Sequence, residues 1–458
     1  MTMFKNFFRI AVAFLIFLSG FQSAQALGLG TNKVAETING AGLNRQAVVS
    51  VSIRNLNSGK MIYSKNDNKL LHPASTLKVL AFAPILAELG ADYKFVTTIY
   101  ADNNNNLYIK LGADPLLTTS DLRKLAGLLK ANYNVSKINK IYIDDTIIDK
   151  TPYLDGWTSD DFYPNMPMIS PYTLNQNKTV VRILISADKN HIEISQGEPY
   201  KHSIINHLTL GAKNDVEVTQ NVQEEYQIGN IISLQGTVKQ GLDIAVPVSN
   251  PKYNFIANLN NAFSSAKVPY EKEFYFAKTP SGLKKVAEVS HSIEEVGSRI
   301  LKDSDNFASE VVFRVAGGQH AKKQPGTTAD GIKMFYDYYK ALGLDTGDVK
   351  IVDGSGVSRY NLFSTSWITS ALIHIFNETD VKNYMAQPGE GTLEKRMRSL
   401  KGSVWAKTGT KTALSALCGL VKTKHKDLVF AIIVSNFNEQ TSVIKGFEDD
   451  LVYAILRL

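Results

Sequence analysis

The chain has 458 residues, of which 44% are apolar and 20% charged, a composition that excludes disorder, a collagen-like repeat and a coiled coil. At this length two or three domains are expected rather than one small core. The formal charge of +7 suits an anionic polymer as partner, but there is no basic run interleaved with aromatic residues, so nucleic acid is not expected.

Lys5 and Arg9 precede an apolar run from Ile10 to Leu18, and Ala24-Gln25-Ala26 supplies the small residues that a signal peptidase requires. This is the pattern of a secretory signal. The apolar run is too short to span a bilayer, and no cysteine stands near the cleavage site to take a lipid. No later segment reads as a membrane span. Residues 1–26 are therefore expected to be removed, which takes away Lys5, Arg9 and no acid and lowers the charge from +7 to +5. Cys418 is the only cysteine. It excludes an internal disulfide and, within the apolar run Leu417 to Val421, reads as a packing residue.

The mature chain opens as a hairpin, with Val48 to Leu56 outward, Asn57-Ser58-Gly59 turning and Lys60 to Tyr63 returning. A long apolar helix is predicted from Ser75 to Glu88, ended by Gly90 and carrying Pro84 inside it. Strands follow at Phe95 to Tyr100 and Leu107 to Leu111, separated by Asp102 and four asparagines that read as a polar turn. Asp121 to Lys130 is a predicted helix and Lys140 to Asp144 a strand. From about 150 to 265 short β-rich runs such as Val180 to Ile185 and Ile228 to Leu234 alternate with Gly, Pro, Asn and Ser. Helices return at Ile293 to Leu301, Phe307 to Val315 and Asp330 to Leu342. The end is a hairpin, Leu414 to Val421 and Leu428 to Ser435, then a helix from Gln440 to Leu456. This order predicts an α+β domain built from both ends of the chain, with the middle as a β-rich insertion. No internal repeat is present.

None of the eight histidines falls in a nucleophile–base pattern. Gly354-Ser355-Gly356 lacks the G-x-S-x-G spacing of a nucleophile elbow, and the spacing of a zinc hydrolase is absent. A lysine is the other side chain able to activate a serine hydroxyl. Ser75-Thr76-Leu77-Lys78 has the needed spacing, because positions i and i+3 share a helix face. The same S-x-x-K pattern recurs at Ser281–Lys284 and Ser442–Lys445, so context must decide. Ser75 opens an apolar helix, where the helix dipole favours developing negative charge and burial favours a neutral amine. Ser281–Lys284 contains Gly282 in a charged stretch and reads as a solvated face. Two further boxes follow in order: Ser304-Asp305-Asn306 in a loop between two predicted helices, and Lys407-Thr408-Gly409-Thr410 on a strand, where Gly409 permits close backbone approach by a substrate. Ser64-Lys65-Asn66 also matches S-x-N but precedes Ser75 and reads as a turn. Each box alone is weak. All three in this order are the signature of penicillin-binding proteins and serine β-lactamases.

The chain resembles the class C, low-molecular-mass penicillin-binding proteins, the D-alanyl-D-alanine carboxypeptidase/endopeptidases of peptidase family S13. The resemblance rests on Pro73 to Lys78, Gly112-Ala113-Asp114-Pro115, Ser304-Asp305-Asn306, Val311-Val312-Phe313-Arg314, Asp353 to Arg359 and Lys407 to Thr410. It implies an exported, periplasmic enzyme with a transpeptidase-like, β-lactamase-like catalytic domain. Its expected bounds are 27–93 with 288–458, around an insertion at 94–287 that nests a smaller domain near 180–245. Ser75 would be the nucleophile, Lys78 its general base, Ser304 the proton relay and Asn306 a ligand of the peptide. Lys407, Thr408, Gly409 and Thr410 would bind the terminal carboxylate, with the N–H groups of Ser75 and Thr410 as oxyanion hole. Arg359, with Asp144 and Asp145 from the insertion as its acidic part, would form the pocket for the diamino-acid side chain of the stem peptide. For the two aspartates, capping and turn formation is an equal reading. The resemblance implies no metal or organic cofactor, peptidoglycan stem peptides as substrate and β-lactams as covalent inhibitors. A serine β-lactamase and a non-catalytic peptidoglycan-binding protein stay open as alternatives.

Overall fold

A computed structural model describes residues 31–134, 136, 138–158, 161, 166–188, 191–222, 228–271 and 273–458. The expected signal, residues 1–26, lies outside them. The chain divides into two compact units, one made of the segment that ends at Thr76 together with Leu362–Leu458, the other of Leu77–Asn361. This line differs from the expected one: it passes inside the Ser75–Lys78 box, and the helices expected beside the terminal strands fall in the second unit. Among the described residues no helix is long and apolar enough to cross a membrane.

The first unit is an antiparallel five-stranded sheet made from both ends of the chain. Its strands are β1 (Val48–Asn55), β2 (Met61–Lys65), β14 (Val404–Lys411), β15 (Leu414–Lys422) and β16 (Asp427–Ser435), ordered β14-β15-β16-β1-β2. Residues 428–435 of β16 are all buried, as expected of a central strand covered on both faces. On one face Val49, Val51 and Ile53 of β1 join Ile432, Val434, Val34 and residues of α8 (Thr441–Ile455) in a core. On the other, Ser50 and Ser52 meet α7 (Thr365–Glu378): Ser50 Oγ lies 2.8 Å from Thr365 Oγ1 and Ser52 Oγ 2.8 Å from Thr369 Oγ1. Two residues of strand advance about as far as four of helix, so the serine and threonine spacings match and each of these four hydroxyls has a partner.

The second unit contains its own five-stranded sheet, β12-β5-β4-β3-β13, formed by β3 (Lys94–Ala101), β4 (Leu107–Lys110), β5 (Ile141–Asp144), β12 (Phe274–Phe276) and β13 (Lys284–Ser292). β13 returns antiparallel to β3, with Ser290 opposite Val96, so the chain leaves and re-enters this region at neighbouring strands. The four asparagines do make a turn, in which Asp102 Oδ1 accepts from the N–H groups of Asn104 and Asn106, both at 2.8 Å. α2 (Thr119–Asn132) begins in a capping box between Thr118 and Asp121. It lays Leu122, Leu125, Ala126 and Leu129 on Ile99, Ile109 and Ile143, the i, i+3, i+4, i+7 pattern of an amphipathic helix. α3 (Pro251–Ser265) covers the same core through Phe255, Leu259 and Phe263.

Strands β6 (Lys178–Ile185), β7 (Ile192–Gln196), β8 (Ser203–Leu210), β9 (Asp215–Val222), β10 (Ile228–Val238) and β11 (Leu242–Pro247) form two three-stranded sheets, β8-β10-β9 and β11-β6-β7. They enclose a small core of Val181, Ile183, Ile232, Leu234, Val238 and Val246. These strands occupy the stretch read as a nested domain.

Four helices complete the second unit: α1 (Leu77–Leu89), α4 (Ile293–Lys302), α5 (Asn306–His320) and α6 (Thr328–Ala341). In α1 every residue from Leu77 to Leu86 is buried, because α4, α5 and α6 all pack on it. Pro84 lies inside it and cannot donate to the carbonyl of Leu80. The Tyr339 hydroxyl from α6 donates to that oxygen instead, at 2.8 Å. A buried carbonyl deprived of its partner is thereby satisfied.

Candidate active site

The first unit carries the serine and the strand box. Ala74–Thr76 is one turn of 3₁₀-helix, entered through Ala74 at φ 46°. A non-glycine residue in the left-handed region costs about 1–2 kcal/mol, and such costs gather at functional positions. The turn is held by Thr76, whose N–H and hydroxyl both donate to the Pro73 carbonyl, the latter at 2.6 Å. β14, the edge strand of the sheet, runs beside this turn. A Cβ placed on Gly409 would lie 2.9 Å from the Ala74 Cβ and 3.0 Å from the Ser75 nitrogen. The close approach that requires glycine here is therefore that of the serine turn itself. Strand residues alternate in face, so Lys407 shares the Gly409 face while Thr408 and Thr410 take the other. Lys407 is fully buried and opposite Cys418. Burial pushes the Cys418 thiol up to about 12, which leaves it inert as a nucleophile.

The second unit carries the lysine and the loop box. Lys78 is fully buried at the start of α1, three residues after Ser75 in the chain. Its Nζ donates to Asn306 Oδ1 at 2.7 Å and to the Ser355 carbonyl at 2.5 Å. Each residue of Ser304-Asp305-Asn306 has a separate task. Ser304 stands at φ 63°, turning the chain into α5. Asp305 caps that helix by accepting from Ala308 N–H at 2.9 Å, a contribution of about 1 kcal/mol. Its carboxylate also receives Arg299 Nε at 3.1 Å and the Gln176 amide. Asn306 is the first residue of α5 and faces Lys78.

The Ser355 carbonyl is presented by a turn wound around Asp353. That buried carboxylate accepts from Gly356 N–H at 2.8 Å, Ser358 N–H at 2.5 Å, Asn361 Nδ2 at 2.8 Å and Trp157 Nε1 at 2.8 Å. Ser309 Oγ of α5 donates to the Gly354 carbonyl at 2.8 Å. Turn and helix are thus tied together on either side of the lysine.

Residues 31–454 match the D-Ala-D-Ala carboxypeptidase 3 (S13) family. The chain belongs to this family. As a member it is a serine peptidase of the D-Ala-D-Ala carboxypeptidase class, a hydrolase. It is 26% identical to a D-alanyl-D-alanine carboxypeptidase of Actinomadura sp. over 84% of this chain and 77% of that one. To the D-alanyl-D-alanine carboxypeptidase DacB of Haemophilus influenzae it is 21% identical, over 84% and 85%. The crystal structure of penicillin binding protein 4 (dacB) from Haemophilus influenzae superposes with a TM-score of 0.79 at 19% identity, covering 92% of this chain and 99% of that one. The fold is accordingly the α+β one expected.

Arg359 and the two aspartates read with it each have partners of their own. Arg359, partly exposed, pairs with Asp161, and its N–H donates to the Gly156 carbonyl at 3.0 Å. Asp145 instead accepts from the Tyr172 hydroxyl at 2.7 Å and holds Lys150 at 2.7 Å. Asp144 accepts from Thr146 Oγ1 at 2.6 Å and from Thr279 N–H at 2.7 Å. The Thr146 contacts of Asp144 are those of a turn, whereas Asp145 joins the side chains of Tyr172 and Lys150. Hydrogen bonds to Asp144 hold its carboxyl below the usual range against the opposing effect of burial.

Asp353, Glu310 and Arg314 carry no role in the sequence reading. A signal for two of them was present. Asn306, Glu310 and Arg314 recur every four residues in an otherwise apolar helix, and charged residues at that spacing share one buried face.

Gly409→Ala tests the crowding at the serine turn. Forcing a methyl into a filled site costs about 1–3 kcal/mol, and here the crowded atoms are the Ala74 Cβ, the Ser75 nitrogen and the Pro73 carbonyl oxygen. Acylation by a penicillin is expected to slow about tenfold or more, with a small fall in melting temperature. An unchanged acylation rate would show that the turn yields without moving the serine.

Proposed function

We propose that the chain hydrolyses D-Ala-D-Ala peptide bonds of peptidoglycan stem peptides through an acyl-enzyme on Ser75. The observation that carries this reading is Lys78, buried, held by Asn306 and Ser355, and one turn of chain after Ser75. Lys78 takes the proton of the Ser75 hydroxyl as Oγ attacks the carbonyl carbon. The oxyanion is met by the N–H groups of Ser75 and Thr410, a role supported by the tight approach of β14 to the Ser75 nitrogen. The C–N bond then breaks, and the departing D-alanine amine receives the proton from Lys78 by way of Ser304. Water hydrolyses the resulting ester and restores the serine. Asn306 holds both the lysine and the peptide. The hydroxyls of Thr408 and Thr410 bind the terminal carboxylate, Lys407 adds positive charge from the other face of the strand, and Arg359 takes the far end of the stem-peptide side chain.

The same acylation step makes β-lactams covalent inhibitors, and the family supports cleavage of crosslinks as well as of terminal residues. The enzyme acts after export, in the periplasm, without its first 26 residues. The test is incubation of protein recovered from cells with crosslinked and uncrosslinked muropeptides, with the products and the intact protein resolved by mass. Released D-alanine, split crosslinks and a chain beginning at Leu27 are expected. Intact muropeptides would sink the proposed activity, and an uncleaved amino terminus would sink export by this route.

A further inference from the structure

Beneath Lys78 lies a titratable group for which the reaction just described has no use. Glu310 is on α5, one turn beyond Asn306, and is fully buried. Ser355, the residue whose carbonyl receives Lys78, faces it with its hydroxyl and N–H. Among the described residues, however, neither carboxyl oxygen of Glu310 completes a hydrogen bond of normal geometry, and the Ser355 hydroxyl is equally unpartnered. The charged groups around Glu310 are few. Asp353 sits in the same turn as Ser355, and Arg314 is one turn further along α5. Arg314 is itself engaged with Asp149 at 3.0 Å, the Thr151 carbonyl at 2.9 Å and Thr328 Oγ1 at 3.0 Å. Lys78 comes from α1 on the other side of the Ser355 carbonyl.

This arrangement suits a neutral acid and not a carboxylate. Burial, reinforced by the negative charge of Asp353, pushes the Glu310 carboxyl up to about 8, with Arg314 and Ser355 pulling the other way. A protonated carboxyl has a donor to offer the Ser355 hydroxyl and an acceptor for its N–H. An ionised one places a second negative charge beside Asp353, in the turn that positions Lys78. It also favours the ammonium form of the lysine over the amine that accepts a proton.

We propose that Glu310 is a positioning residue for acylation: as a neutral acid it holds the Ser355 turn against Lys78, and on losing its proton it switches the lysine out of its role as base. The inference rests on the assignment of Ser75 and Lys78 given above. Its consequence is an alkaline limb in the acylation rate that belongs to Glu310 rather than to either of those residues.

The experiment is the rate of acylation of Ser75 by a fluorescent penicillin, from about pH 6 to about pH 10, in the wild-type protein and in Glu310→Gln. Glutamine keeps the shape and the donor–acceptor pair but has no proton to lose. The wild-type rate should fall about tenfold per pH unit above a midpoint near 8. Glu310→Gln should keep its neutral-pH rate within about threefold and lose that limb. The melting temperature gives a second readout. An acid whose pKa is raised on folding lowers stability progressively as pH rises from its unfolded value toward its folded one. Glu310→Gln should therefore gain on the wild type between about pH 5 and about pH 8.

An identical alkaline limb in both proteins overturns the proposal, as does a folded Glu310→Gln that is not acylated at neutral pH. If that variant does not fold, the wild type decides alone: a protonated-carboxyl infrared band must vanish with the same midpoint as acylation, and a band unrelated to the rate overturns the proposal. Failure of the underlying assignment looks different, because the wild type would then not be acylated on Ser75 at any pH.

Discussion

Ser75→Ala is expected to abolish covalent labelling by a fluorescent penicillin while leaving the melting temperature nearly unchanged. The hydroxyl is the only atom removed, and the 3₁₀ turn that presents it is held by Thr76 and packed against Gly409. The two competing S-x-x-K patterns lack such a setting. Ser281 lies in a turn with Gly282 at φ 78°, and Lys284 opens β13, so serine and lysine there share no helix face. Ser442 is on α8, exposed to solvent, where an acyl-enzyme would have no shelter from water. Labelling that survives in Ser75→Ala and disappears in Ser281→Ala would refute the choice of nucleophile.

The parts of this fold that were legible in the sequence are those where local pattern and burial agree. The closing hairpin was read at Leu414 to Val421 and Leu428 to Ser435 and is found at Leu414–Lys422 and Asp427–Ser435, because a central strand writes a continuous apolar run. The helix read from Ser75 is α-helical from Leu77. The two residues of difference are the 3₁₀ turn, whose entry at positive φ on Ala74 carries no mark in residue type. β8 (Ser203–Leu210) and β9 (Asp215–Val222) were not read. β8 is largely exposed and mixed in polarity, and the alternation of β9 runs only over Asp215–Gln220 with two valines as its apolar members, too short to stand out from the polar residues around it.

At the site, the three boxes named the residues but not why their neighbours are there. Asp305 is a helix cap and Gly409 is a space beside the serine turn, facts that need the third dimension. The same holds around Arg359: Asp161, which meets the arginine, carries no mark in the sequence, and neither do the Tyr172 and Lys150 partners of Asp145.

Lys78→Met should slow acylation by about 10²–10⁴-fold, the usual worth of general-base assistance. Methionine preserves most of the buried stem, so the packing of α1 survives. What disappears is the donor to Asn306 Oδ1 and to the Ser355 carbonyl, and leaving a buried acceptor unsatisfied costs about 1–3 kcal/mol. A fall in melting temperature of a few degrees is therefore expected alongside the kinetic loss. Stability alone does not separate a base from a structural cation, but Lys78→Arg does. Arginine restores a positive donor yet cannot surrender its proton near neutral pH. If Lys78 works as a base, Lys78→Arg should be acylated as slowly as Lys78→Met, even where it recovers part of the stability. If Lys78 only anchors Asn306 and Ser355, the arginine variant should recover acylation in proportion to stability. A methionine variant acylated within about tenfold of the wild-type rate would remove the lysine from the chemistry altogether, and with it the reason for a buried amine at this position.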